Sequence, residues 1–590
     1  MIPARDGVGL ATDIYRPTLN GQFVEERLPV ILQRTPYNKA STGRGDPARR
    51  FVEAGYVVAV QDTRGRYESE GVFDKYAAYE VTDGYDAIEW LAAQPYSDGK
   101  IGMWGTSIPA HTQAAAAKAN PPHLALLVMN CGGMWDAWDH KVRNHGAFEL
   151  TAQIGWAFGQ VLNETEDPVV RAHLEAESAG SWTAAMPLRR GLNPLSVAPE
   201  YENFFLDMAV NGDYDHWSHA GTNWKEYFEQ TADVPMLHIS GWYDTYSGGT
   251  VENFVALSRL KESPMRLLMG PWTHGGNTRS FSGDVEFGEV AAIPDFGTDF
   301  HIRLFDHYLK GIRNGEESQA PVKVFVMGTG DGHKDANDRL FHGGYWRESA
   351  EWPLPGTRFT SYYFQADGTL TTTPPAAAAR PSTTYTFDPR DPVPTIGGSF
   401  TSYAQIGVPS GPYNQREDER IYAAKEPYLP LKARPDVVVF QTEPLQQDVE
   451  VVGPIVVRLH ASSSALDTDF TAKLVDVYPP SLDYPQGFEM NVTDGVIRAR
   501  YRNSPSSEEL MEPGAVYEFE IRPFATANVF KRGHRIRIDI SSSNYPRFDL
   551  NPNTGEPLGQ HRRMVSADNT IYHNAQYPSH VVLPIVPSGR

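Results

Sequence analysis

The chain has a single cysteine, Cys131, in 590 residues. One thiol excludes an intrachain disulfide and any zinc site built from several cysteines. Cys131 lies in the apolar segment LALLVMNC, which is typical of a buried strand, so we expect a packed thiol and no reactive one. The DTDF segment at 467–470 lacks the glycine and the distal glutamate of an EF-hand calcium loop. We therefore expect no metal and no cofactor.

Long apolar runs are also missing. No window reaches about 18 uninterrupted apolar residues, the length that a membrane-spanning helix needs. The first residues, MIPARDGVGL, lack the basic and then apolar pattern of a signal segment. We expect a soluble, cytoplasmic protein that does not associate with membranes.

Basic residues are fewer than acidic ones, with 52 Lys and Arg against 73 Asp and Glu, and the formal net charge is -21. Binding to nucleic acid requires clustered Lys and Arg that displace counterions from phosphates. The charge therefore argues against a nucleic-acid partner. It does not oppose a small-molecule substrate, and the composition leaves a homo-oligomer open.

The first part of the chain alternates short apolar segments with helical patterns, which is typical of a parallel sheet with crossover helices. The segments LPVILQR, YVVAVQD and KIGMWG are predicted strands, and EVTDGYDAIEWLAAQP between the last two is a predicted helix that ends at Pro95. The alanine-rich TSIPAHTQAAAAKANPP predicts the next helix, and HLALLVMN the next strand. Together these segments predict an α/β fold.

Changes in the helix and strand patterns along the sequence divide it into four segments. We assign 1–132 to the first part of an α/β-hydrolase core, 133–227 to an aromatic-rich helical cap inserted into it, and 228–345 to the second part of the core. In 346–590, apolar and polar residues alternate between Pro- and Gly-rich turns, which predicts a C-terminal β-sandwich of the jelly-roll type.

Ser107 is the candidate nucleophile. Gly105-Thr106-Ser107 lies between a predicted strand and a predicted helix, where a nucleophile elbow exposes its serine to the substrate. The second glycine of the G-x-S-x-G pattern is replaced by Pro109, since the sequence is GTSIP. Proline is tolerated in the first turn of a helix, and the backbone N–H of Ile108, which an oxyanion hole needs, remains.

A serine needs a base to accept its proton and a carboxylate to orient that base. Asp244 ends the predicted strand HISGWYD, and His274 ends the predicted strand LLMGPWTH. Both side chains are therefore expected at the carboxyl edge of the sheet, where Ser107 also emerges. The order Ser, Asp, His along the chain is that of α/β-hydrolases.

Several ordered blocks, spread over essentially the whole chain, resemble the CocE/NonD hydrolases, the family of cocaine esterase, α-amino acid ester hydrolases, glutaryl acylases and X-Pro dipeptidyl-peptidases. The blocks are RTPYNK, VVAVQDTRGRYESEG, YDAIEWLAAQPYSDGKIGMWGTS, HISGWYD, GPWTHG and FKRGHRIRIDISSSNYPRFDLNPNTG. The resemblance implies Ser107 as nucleophile, His274 as general base and acid, and Asp244 as its orienting carboxylate. It also implies that the hydroxyl of Tyr37 and the N–H of Ile108 form the oxyanion hole.

The predicted reaction is the hydrolysis of esters, or of amides, of small acyl groups through an acyl-enzyme on Ser107. An X-Pro dipeptidyl-peptidase and a β-lactam or glutaryl acylase are alternatives, and each needs a charged anchor that the sequence does not locate. A further alternative, from another class, is a ligand-binding protein in which Pro109 has disabled the elbow.

Overall fold

The computed structural model describes residues 1–43, 45–177, 186–376, 381–401 and 408–587. No helix in this part of the chain is long and apolar enough to cross a membrane.

A twisted sheet forms the centre of the first half of the chain. Its strands pair in the order β1, β3, β2, β4, β5, β6, β7, β8, β9, and all neighbours from β3 to β8 are parallel. At the two edges, β1 pairs antiparallel with β3, and β9 pairs antiparallel with β8. Strands β3 and β6 are buried along their whole length, as expected for a sheet covered on both faces. The strands are β1 (Thr12–Tyr15), β2 (Leu28–Thr35), β3 (Val57–Asp62), β4 (Ser97–Thr106), β5 (Leu124–Asn130), β6 (Met236–Tyr243), β7 (Met265–Thr273), β8 (Val322–Met327) and β9 (Gly344–Ser349).

Helices cover both faces of this sheet, and the alanine-rich helix is buried throughout. A Cβ atom at Gly84 would lie 2.6 Å from the Cβ of Ala116, so small residues are what lets these two neighbouring helices approach closely. The helices of this half are α1 (Lys39–Gly43), α2 (Asp46–Glu53), α3 (Tyr79–Ala92), α4 (Ile108–Lys118), α5 (Leu150–Glu164), α6 (Pro168–Ala176), α7 (Pro199–Val210), α8 (Tyr214–Trp217), α9 (Ser247–Leu260) and α10 (Asp299–Tyr308).

Between β5 and β6 the described residues are mainly helical, from α5 to α8. A short hairpin, Arg143–Asn144 paired with Ala147–Phe148, also lies there, although the sequence pattern showed no strand. The interior of this region is rich in aromatic side chains, and it packs against Tyr501 and Tyr545 of the C-terminal half. The helical region is therefore held from two sides.

The C-terminal half is a sandwich of antiparallel sheets. The smaller sheet pairs its strands in the order β12, β19, β15, β16, and the larger one contains the other strands of this half. Phe364 stacks on Phe440 at 4.2 Å between ring centres, and the Phe470 and Phe519 rings lie 4.7 Å apart. The strands are β10 (Arg358–Phe364), β11 (Ser382–Phe387), β12 (Val438–Gln441), β13 (Val449–Gly453), β14 (Val456–Ser463), β15 (Asp469–Tyr478), β16 (Phe488–Arg498), β17 (Tyr517–Ile521), β18 (Thr526–Phe530), β19 (Arg535–Ser541), β20 (Ala567–Tyr572) and β21 (His580–Val586).

The two halves share hydrogen bonding. At the carboxyl end of β8, Met327 pairs with Asn528 of β18, so the central sheet continues into the larger sheet of the sandwich.

Candidate active site

Ser107 occupies a sharp turn between β4 and α4. Its backbone is left-handed, with φ 69° and ψ -127°, a conformation that residues other than glycine rarely adopt. Its N–H donates to the carbonyl of Asn130 at 2.9 Å, and its own carbonyl accepts from the N–H groups of Ala110 and His111. The turn is thus fixed on both sides, as a nucleophile elbow requires.

Glycine provides the space for this turn at two positions. A Cβ atom at Gly105 would lie 2.5 Å from the Cβ of Pro109, and one at Gly132 would lie 2.5 Å from the carbonyl oxygen of Ser107. Pro109 itself lies in the first turn of α4, where its missing N–H removes no helical hydrogen bond. The elbow therefore forms with Pro109 in place of the second glycine.

His274 and Asp244 form a hydrogen-bonded pair directly after β7 and β6. The Nδ1 of His274 lies 2.9 Å from Oδ1 of Asp244, and Oδ2 of Asp244 accepts a hydrogen bond from Ser240 Oγ at 2.8 Å. Burial of Asp244 opposes its charge, but the charge of His274 and these hydrogen bonds outweigh burial and hold the pKa of Asp244 below its ordinary value. The carboxylate is charged and orients the ring, which leaves Nε2 to act as a base.

The end of β4 and the end of β7 are adjacent. A Cβ atom at Gly275, which follows His274, would lie 3.8 Å from Cγ2 of Thr106, which precedes Ser107. The side chain of His274 is 20% exposed, whereas that of Asp244 is fully buried. The imidazole of His274 is therefore partly accessible, and it follows a strand end that is adjacent to the turn of Ser107.

Tyr37 lies just after β2, and its hydroxyl interacts with the side chain of Ser107. The indole N–H of Trp156 donates to the same hydroxyl at 3.1 Å. Burial raises the pKa of Tyr37, so it stays protonated at neutral pH and can donate a hydrogen bond. Ile108 provides the first N–H of α4, which has no partner within its helix. The structure thus brings all five predicted site residues to one edge of the sheet.

Arg66 supports the loop that carries Tyr37. Its Nε donates to the carbonyl of Pro36 at 2.9 Å, and its guanidinium also contacts Tyr201 and Glu164 of the helical region. The side chain is buried and paired with Glu164, which gives Arg66 a role in positioning the loop of Tyr37.

Cys131 lies directly behind the pair of Asp244 and His274. It is 1% exposed, as expected for a packed thiol, and its N–H donates to the carbonyl of Ile239 at 2.8 Å. One potential ligand atom from each of Cys131, Asp244 and His274 falls within a 4.8 Å cluster. Burial raises the pKa of the thiol well above its usual value, so it stays protonated. A protonated thiol beside an already paired histidine and carboxylate favours a packing role over metal ligation.

Comparison with known proteins identifies the family. A family model described as X-Pro dipeptidyl-peptidase (S15 family) matches residues 6–276. A second, described as the X-Pro dipeptidyl-peptidase C-terminal non-catalytic domain, matches residues 314–582. Cocaine esterase from Rhodococcus sp. (strain MB1 Bresler) is 34% identical over 99% of this chain and 98% of its own length. The chain belongs to the S15 family.

Solved structures agree with this S15 assignment. An aminopeptidase from a marine sediment archaeon (Thaumarchaeota archaeon) superposes with a TM-score of 0.77 at 26% identity and covers 99% of this chain and 95% of its own. An α-amino acid ester hydrolase superposes with a TM-score of 0.76, also at 26% identity, over 99% and 96%. The predicted resemblance to the cocaine-esterase family and the predicted fold class are both confirmed.

The sequence analysis assigned no role to two groups of residues that lie near this site. Trp156, which contacts Tyr37, stands among many aromatic residues of the helical region, and nothing in the local sequence separates it from its neighbours. Lys75 and Lys141 lie in irregular segments, where hydrophobic periodicity gives no signal of burial, yet both are buried near the site. The sequence signal for the buried lysines was only that each lies in a segment with several aromatic residues.

Proposed function

We propose that this protein is a serine hydrolase that cleaves carboxylic esters of small acyl groups through an acyl-enzyme on Ser107. The observation that carries the proposal is the joint arrangement of the left-handed Ser107, the His274–Asp244 pair and the Tyr37 hydroxyl at one sheet edge. The full-length similarity to cocaine esterase supports esters as the substrate class.

In the proposed reaction, Nε2 of His274 accepts the proton of Ser107 as its Oγ attacks the ester carbonyl. The negative charge that develops on the carbonyl oxygen is stabilised by the Tyr37 hydroxyl and the Ile108 N–H. His274 then donates its proton to the leaving alcohol. Water, deprotonated by His274, attacks the acyl-enzyme, and the acid and Ser107 are released. Asp244 keeps its negative charge throughout and stabilises the imidazolium.

The test combines turnover with active-site labelling. We expect the protein to hydrolyse p-nitrophenyl acetate and butyrate and to gain one fluorophosphonate adduct by intact mass, and both activities should vanish in Ser107→Ala. Ser258→Ala, which changes an exposed serine on α9, is the matched control and should keep both. A folded wild-type protein that shows neither turnover nor adduct would favour the ligand-binding alternative.

Peptidase and acylase activity are rival proposals within the same chemistry. The family description and the archaeal aminopeptidase favour testing an Xaa-Pro p-nitroanilide alongside the esters. An aminopeptidase must bind the substrate ammonium, and a carboxylate is the usual partner for it. Among the described residues beside this site, Lys141 has a pKa of about 8 and so keeps a positive charge at pH 7, which repels an ammonium. We therefore expect the ester to be the better substrate.

A further inference from the structure

Two buried lysine side chains lie beside the proposed catalytic site. Lys75, in the loop between β3 and α3, is 6% exposed, and Lys141, between β5 and α5, is 4% exposed. Lysine is almost never fully buried unless a partner compensates its charge. Their burial therefore requires an explanation from their surroundings.

The immediate surroundings of both amines are aromatic or neutral. The Nζ atom of Lys75 lies 3.8 Å from the ring centre of Trp156 and donates to Oε1 of Gln153 at 3.2 Å. The Nζ atom of Lys141 lies 4.8 Å from the ring centre of Tyr246. Gln153 connects the two lysines, because its Nε2 donates to the backbone carbonyl of Lys141 at 2.8 Å. The two amines thus belong to one cluster, which we call the lysine pair.

The lysine pair flanks the proposed catalytic groups. Trp156, beneath Lys75, donates to the hydroxyl of Tyr37. Tyr246, beneath Lys141, has its ring 5.8 Å from the ring of His274. One amine is therefore one side chain away from the oxyanion site, and the other is one side chain away from the general base.

Neither amine forms an ion pair with a carboxylate in the part of the chain that the structure describes. Burial, together with the charge of Lys141, lowers the pKa of Lys75 well below its usual value. Burial lowers the pKa of Lys141 to about 8, although the more distant charges of Glu149 and Asp244 oppose that shift. Glu149 is already engaged by Arg547 at 3.3 Å, and Asp244 by His274. At pH 7 Lys141 therefore carries a positive charge, whereas burial favours the neutral form of Lys75, and no carboxylate among the described residues pairs with either amine.

We infer that the substrate provides this partner, so that the preferred ester carries a carboxylate which binds at the lysine pair. A buried ammonium without a counter-charge is costly, and a carboxylate that enters the site removes this cost while it gains charge-assisted hydrogen bonds. The inference rests on the proposed function, because it names the substrate class of the same site. The carboxylate can belong to the acyl half, as in a half-ester of a dicarboxylic acid, or to the alcohol half, as in an acylated hydroxybenzoate.

The experiment compares charged esters with neutral counterparts of nearly equal shape at pH 7. For the acyl half, kcat/KM is measured for p-nitrophenyl hemiglutarate and for its methyl-capped diester. For the alcohol half, it is measured for 4-acetoxybenzoate and its methyl ester. We expect the charged member of one pair to exceed its neutral counterpart about tenfold or more, the scale for a hydrogen bond to a charged group. The pair that shows the preference identifies the half that carries the carboxylate.

Variants then assign the preference to the lysine pair. Lys75→Met and Lys141→Met keep a long side chain and remove the charge, so the ratio of charged to neutral kcat/KM should fall about tenfold in at least one of them. Lys310→Met is the matched control, because Lys310 also lies 3.8 Å from an aromatic ring, that of Tyr56, but packs against helix α10. Its ratio should equal that of the wild type.

The outcomes separate the two levels of the proposal. Faster hydrolysis of the neutral ester in both pairs would overturn the inference, and so would an unchanged ratio in both lysine variants. Neutral-ester turnover and fluorophosphonate labelling that depend on Ser107 would, in that case, leave the proposed function standing. Loss of turnover and labelling in folded wild-type protein would overturn both. The wild-type ratios need no variant, so a lysine variant that fails to fold leaves the test intact.

Discussion

The Tyr37→Phe substitution removes one hydroxyl group from the proposed oxyanion site and keeps the aromatic ring. An indole N–H can only donate, so the oxygen of Tyr37 accepts from Trp156, and its own proton remains available toward Ser107. Because burial raises the pKa of Tyr37, the hydroxyl keeps that proton at neutral pH. We therefore expect the variant to lose one of two donors to the oxyanion while Ile108 still provides the other.

The structure separates the effect on rate from the effect on stability. Loss of one donor of this kind costs about 2.7 to 4 kcal/mol of transition-state stabilisation, or about 10²- to 10³-fold in kcat. The same change leaves the buried N–H of Trp156 without a partner, which costs about 1 to 3 kcal/mol in the free energy of unfolding. Steady-state and burst kinetics with p-nitrophenyl butyrate measure the first quantity, and urea unfolding measures the second.

Trp156→Phe is the matched control, because it removes the donor to Tyr37 and leaves the phenolic proton in place. Its loss in kcat should be smaller than that of Tyr37→Phe, and its free energy of unfolding should also fall. A folded Tyr37→Phe variant with kcat within about threefold of the wild type, a change below about 0.7 kcal/mol, would refute the role of Tyr37 in the oxyanion site.

Three further substitutions test the remaining parts of the site. Asp244→Asn should lower kcat about 10⁴-fold, as expected when the imidazole loses its orienting carboxylate. Because the pKa of Asp244 is held below its ordinary value, its contribution to stability is present at neutral pH and is lost as the pH falls through the lowered pKa. The difference in unfolding free energy between wild type and Asp244→Asn should therefore shrink as the pH falls below about 4, the ordinary pKa of an aspartate, and a constant difference would contradict this account. Gly105→Ala should lower Tm by several degrees, since its Cβ would lie 2.5 Å from Pro109; Gly191→Ala, at a positive φ but in open space, should cost less, and equal losses would exclude the clash as the cause. Cys131→Ala should keep kcat within about threefold, and native wild-type protein should not react with iodoacetamide, because the thiol is buried and protonated; rapid alkylation by intact mass would contradict this assignment.

The sequence carried its clearest signal for the proposed site where that signal was local. Ser107, Asp244 and His274 each follow a strongly apolar segment, and the carboxyl ends of parallel strands meet at one edge. Tyr37 lies in a loop with no periodic signal, so its assignment came from the resemblance alone. Whether Pro109 disrupts the elbow depends on the space opposite its ring. In the folded turn Gly105 provides that space, because it has no Cβ atom.

The lysine pair depends on contacts between segments distant in sequence, which residue patterns do not report. Lys75 and Gln153, for example, are 78 residues apart. The hairpin at Arg143–Asn144 is local, but its strands of two residues are too short to give an alternating pattern. The residue limits at 132, 227 and 345 stay predictions, since a helical insertion and its sheet can be divided at more than one loop residue. The structure gives Trp156 both a packing contact with Phe204 and a hydrogen bond to Tyr37.

The pairing of Met327 with Asn528 means that the so-called non-catalytic half completes the hydrogen bonding of the catalytic one. A truncated chain ending after β9 would expose backbone groups of β8 and the aromatic surface on which Tyr501 and Tyr545 pack. Unpaired strand edges and exposed apolar patches of this kind promote aggregation. The two halves are therefore better regarded as one folding unit whose parts cannot be produced, exchanged or evolved independently, even though the proposed chemistry resides in only one of them.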